Sequence, residues 1–125
     1  MARRHASQPS HVVSAEWQLA QVEELGGHMI NAEAHCDAAL GASAETLADL
    51  GIGAAVRRMR ERIRLQRGVA AKEVIVACTA LLESARLGEE FGEMVLLLVM
   101  LSTLHQRLGD LYAAEQSARE AVVLA

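Results

Sequence analysis

The chain has 125 residues, 52% of them hydrophobic but only 2% aromatic, and a net charge of −4. That length suits one domain, and an Ala- and Leu-rich core with a single Trp, Tyr and Phe excludes sandwich, barrel, collagen-like and disordered classes in favour of close-packed helices. The acidic balance gives no overall basic field for nucleic acid, and Cys36 and Cys78 do not make a disulfide framework.

Residues 1–13 hold Pro9, no helical period and no signal-peptide core, and read as a frayed, disordered tail. Ser14 offers an N-cap with Glu16 in the first turn, and Ala15, Leu19 and Val22 follow at helical spacing until Gly26-Gly27. A second helix is predicted over 29–40, stopped by Gly41. The stretch 41–53 holds three glycines and reads as a long connection with room for one helical turn at 44–50. Val56, Met59 and Ile63 predict a helix over 54–67, ended by Gly68. Another is predicted over 70–87, ended by Gly88. The next runs from Glu90 through Leu108, and the last covers Leu111–Leu124. The apolar run 94–101 is far short of the roughly 20 residues that cross a bilayer, so a soluble, cytoplasmic protein with no membrane contact is expected.

Gly27, Gly68 and Gly109 stand 41 residues apart. Val22, Ile63 and Leu104 precede them at one offset, and Cys36, Ala77 and Ala118 follow at another. Ala39, Ala80 and Ala121 come at a third offset. Small residues at a fixed phase let paired helices approach closely, and three repeats are near the minimum for a stable stack. The repeats expected from this spacing run 14–41, 54–87 and 90–125.

The third repeat resembles a tetratricopeptide pattern. Leu108-Gly109-Asp110 forms the turn, Leu98, Leu101 and Ser102 lie on the first helix, and Ala114, Ala118 and Ala121 lie on the second. The middle repeat is poorer, with Glu73 standing where a small residue is usual. The longer stretch comprising 81–88, 94–101, 104–110 and 118–125 is similar to the helical-repeat region of MalT-type, LuxR-family transcriptional regulators. The resemblance implies an all-α fold over 14–125, an α-α superhelix (TPR-like) of about three antiparallel helix pairs. It also implies a non-catalytic module that senses a signal or partner and relays it to DNA-binding parts. The chain is then a piece of a larger regulator or a stand-alone relative of that piece. It carries neither a phosphate-loop motif nor a helix-turn-helix after the last repeat. The alternative is a stand-alone adaptor or scaffold with no link to transcription.

The segment 57–67 carries six of the twelve Lys and Arg residues. One reading is a solvated helix whose arginines pair with Glu61, Glu83 or another acidic surface. The other places Arg57, Arg60 and Arg64, one helical row, on a small anionic ligand or an acidic partner segment. No aromatics interleave with the arginines, so direct nucleic-acid binding is not expected. His105 occupies a first-helix position that faces the groove of such repeats and is a candidate partner contact. His28, His35 and Cys36 lack any zinc spacing, and Cys36 takes a packing position, so neither metal nor cofactor is expected. Glu89, Glu90 and Glu93 read as helix-start acids, and no nucleophile sits in a motif, which argues against an enzyme. Leu111–Leu124 lacks a polar capping surface, which points to self-association or docking of further sequence there.

Overall fold

Two glycines and one glutamate sit at the centres of three matching turns. The computed structural model describes residues 9–125. The turns join α1 (Ser10–Leu25) to α2 (Met29–Leu40), α5 (Ala71–Leu87) to α6 (Phe91–Arg107), and α6 to α7 (Leu111–Leu124). Their central residues, Gly27, Glu89 and Gly109, take φ of 82°, 53° and 79°. The following N–H reaches back to close each helix: His28 to the Glu23 carbonyl at 2.8 Å, Glu90 to Ala85 and Asp110 to His105 at 2.9 Å. This is the Schellman closure, which satisfies the last carbonyls of one helix and turns the chain into the next. Gly68 also has a positive φ, but it follows α4 (Gly53–Gln66) in a longer connection of different form.

Helix α1 begins at Ser10, four residues before the Ser14 cap read from the sequence. Pro9 supplies a pre-set φ of −57°, and its carbonyl accepts from Val12 and Val13. Val13 is fully buried, so this extra turn is held by packing rather than by a polar cap. Positions 10–13 of the expected tail are therefore helical, and 1–8 lie outside the described residues. Within the connection after Gly41, α3 (Ala44–Leu50) forms a full short helix. The Ser43 hydroxyl accepts from the Thr46 N–H at 3.1 Å, and Leu47 is buried.

Among the described residues every regular element is an α-helix, with adjacent helices packed as pairs in the manner of a helical-repeat protein. None is long and apolar enough to cross a membrane. The chain divides into two compact units, the first ending at Arg67 and the second starting at Gly68. That boundary falls between the two helices of the middle repeat expected from the glycine spacing.

In the first unit α2 lies between α1 and α4, and α3 rests on α4. Cys36 and Ala39 are fully buried against Val13, Val56 and Ile63, and Trp17 packs on this core. In the second unit α6 lies between α5 and α7. Ser102 and Ala114 let α6 and α7 approach closely enough for the Ser102 hydroxyl to donate to the Ala114 carbonyl at 2.8 Å. The shared small-residue phase holds on α2 and only partly on the others. Ala121 is buried, but Ala80 and Ala118 are exposed. α5 instead buries Val74, Cys78, Leu82 and Ala85, the stripe that meets α6.

Candidate functional site

The arginine-rich helix α4 keeps its apolar stripe of Val56, Met59 and Ile63 in the core, which leaves its arginines to the flanks. There Arg60, Arg62 and Arg64, with Arg67 at the helix end, meet carboxylates of the same unit. Arg62 forks onto Glu24 of α1 through two bonds of 2.8 Å, and Gln66 adds a third of the same length. Arg60 donates to Asp37 of α2 at 2.6 Å and to Glu61 at 3.2 Å, with Glu33 3.5 Å away. Arg64 donates to the other oxygen of Glu61 at 2.6 Å, and Arg67 pairs with Glu33. The buried Glu61 carboxylate is thus held between two guanidiniums, as a buried charge requires. The Arg62 bond, reinforced by Gln66, keeps the Glu24 carboxyl below its usual range against the opposing effect of burial.

Of the sequence-derived candidates, Arg60 and Arg64 therefore converge on the protein's own Glu61, while Arg57 lies exposed on the same helix. His105 is on α6 in the second unit, so the four residues do not share one unit. The histidines near Cys36 also have local partners. His28, in the turn, lies 3.2 Å from Glu23 at the end of α1, and His35 of α2 lies 2.6 Å from Glu16 of α1. The Cys36 thiol is pushed up to about 11 by burial, with the Asp37 charge adding to the effect. Among the described residues no group of three or more His, Cys, Asp or Glu is placed to hold a metal ion.

His105 does line a groove. A shallow depression of about 530 Å³ runs over α6 between α5 and α7. Leu82, Leu98 and Leu101 form its apolar floor. Thr79, Glu83 and Arg86 supply one wall, and Gln116, Arg119 and Glu120 the other, with His105 between them on α6. Arg86 reaches from α5 to α7 and forks onto Glu120, one of the two bonds measuring 2.9 Å. This bond holds the Glu120 carboxyl below its usual range. Arg86 and Glu120 are 34 residues apart and carry no local motif, so only the packing of α5, α6 and α7 identifies them as groove residues.

Comparison of the chain with protein-family models, with curated proteins and with solved structures finds no match.

Proposed function

We propose that the chain is a non-enzymatic helical-repeat module that seats a segment of a partner protein in the α5–α6–α7 groove. Its setting is the MalT-type, LuxR-family regulation that the sequence resembles. The groove is the observation that supports this reading. Its leucine floor offers apolar contact, while His105, Gln116 and Thr79 present polar groups that orient a bound chain. The Arg86–Glu120 fork pairs two of the four charged side chains that line the groove, Glu83 and Arg119 being the others. A charged side chain that engages Arg86 or Glu120 must open that pair, so recognition at this point of the groove favours neutral polar and apolar side chains.

The test places a photo-crosslinking amino acid at His105 of the full-length protein in living cells, with Glu73, exposed on α5, as the control position. A crosslink from His105 to RNA polymerase or to a DNA-bound regulator supports the whole proposal. A specific crosslink to a protein outside transcription keeps the groove and removes the regulatory setting. Products identical to those of the control position remove the groove.

A further inference from the structure

The outward side of α7 carries a pattern that is symmetric about its own middle. The helix meets α6 through Ala114 and Ala121, both buried. Its other side exposes Leu111 by 69%, Tyr112 by 74%, Val122 by 77% and Val123 by 81%. Between these two apolar pairs stand Glu115 and Arg119, exposed and joined to each other at 3.0 Å. Ser117 marks the centre. Leu111 mirrors Val123, Tyr112 mirrors Val122, and Glu115 mirrors Arg119. Apolar residues thus answer apolar residues, and the acid answers the base. At about 100° and 1.5 Å per residue, the six side chains share an arc of about 120° along about 18 Å of helix.

We propose that this face is a homodimer contact, in which a second copy of the chain lays its own α7 antiparallel across it with the two-fold axis level with Ser117. In that register Leu111 and Tyr112 come level with Val122 and Val123 of the partner subunit. Glu115 comes level with Arg119 of the partner subunit, and the two-fold repeats each contact. A self-complementary patch of this kind is what an isologous interface requires, and it closes at two copies. A parallel arrangement sets like charges against each other at both positions, so the charges select the antiparallel one. Four exposed large apolar side chains provide the burial, and the reciprocal ion pairs set the register. This proposal is independent of the groove reading, although Arg119 and Val123 also border the groove.

The experiment is sedimentation equilibrium on the full chain from micromolar to several hundred micromolar, a range chosen because a single helix pair is a small interface. The expected result is a monomer–dimer equilibrium that stops at two. E115R alone and R119E alone should each weaken it on the order of tenfold, and E115R/R119E should restore it, because the double exchange preserves the complementarity. Val122→Glu, which lies outside the groove, should abolish it. The altered side chains are exposed, so circular dichroism should show unchanged helix content for each variant. A wild-type chain monomeric throughout, growth beyond the dimer, a dimer indifferent to V122E, or a double exchange as weak as its single parents would each overturn the proposal.

Discussion

Glu89 occupies the left-handed region, with φ of 53°, in the same turn that Gly27 and Gly109 complete without a Cβ. An L-residue there costs roughly 1–2 kcal/mol, while a glycine loses roughly 0.5–1 kcal/mol of unfolded-chain freedom. Glu89→Gly is therefore expected to stabilise the second unit by about 0.5–1 kcal/mol in urea unfolding. Gly109→Ala is the converse. A Cβ at Gly109 meets no atom within 4 Å, so any loss comes from backbone strain alone, and a destabilisation of about 1 kcal/mol is expected. Equal midpoints for either variant and wild type would contradict the assignment. The same comparison explains what could be read from the chain. Gly27 and Gly109 mark their turns because glycine is the residue such turns favour. The α5–α6 turn carries its bend on a glutamate, which has no such signature, so only the neighbouring Gly88 and the hydrophobic period revealed it. Gly68 fits the 41-residue spacing but closes a different connection. Even spacing of glycines is thus not evidence of identical turns.

Helix α4 is held at two levels, by an apolar stripe of three side chains and by arginine–carboxylate pairs reaching α1 and α2. Its ionic character was legible in the run 57–67, but its partners were not, because Glu24 and Asp37 lie 38 and 23 residues from the arginines they meet. Helix packing, not spacing along the chain, decides those pairs. Arg62→Gln removes a two-bond fork on the partly exposed rim and is expected to cost roughly 0.5–1 kcal/mol, with the loss shrinking as salt screens the wild-type pair. The pH dependence has a definite sign. Glu24 titrates below its ordinary 4.5 in the folded chain, chiefly because of Arg62. The unfolded state therefore binds the proton more readily, and this contribution is complete above about pH 4.5 and fades as pH falls through the lowered folded value. Thermal melts of Glu24→Gln should show a shallower acid decline than wild type. Parallel acid limbs for the two proteins would mean that the pair contributes nothing to the pH dependence.

The division at Arg67 gives the molecule two compact units, each with its own buried set of side chains. Each is shorter than about 70 residues, a size at which a single core leaves only a few kcal/mol of stability. A large core deletion should then unfold one unit rather than soften it. Ile63 is fully buried in the first unit, where it packs with Val13, Cys36 and Val56. Ile63→Ala removes three carbon atoms from a filled site and is expected to cost about 2–5 kcal/mol, comparable to the unit's whole stability. Hydrogen exchange locates the effect. Amides of α1, α2 and α4 should lose protection by the full amount, while those of α5, α6 and α7 keep their wild-type protection because Val74, Leu98 and Leu104 form a separate buried set. Uniform loss of protection across all seven helices of the described residues would show instead that the units fold as one cooperative body. In that case the composition, which suits one domain of this length, would describe the folding unit better than the division of contacts does.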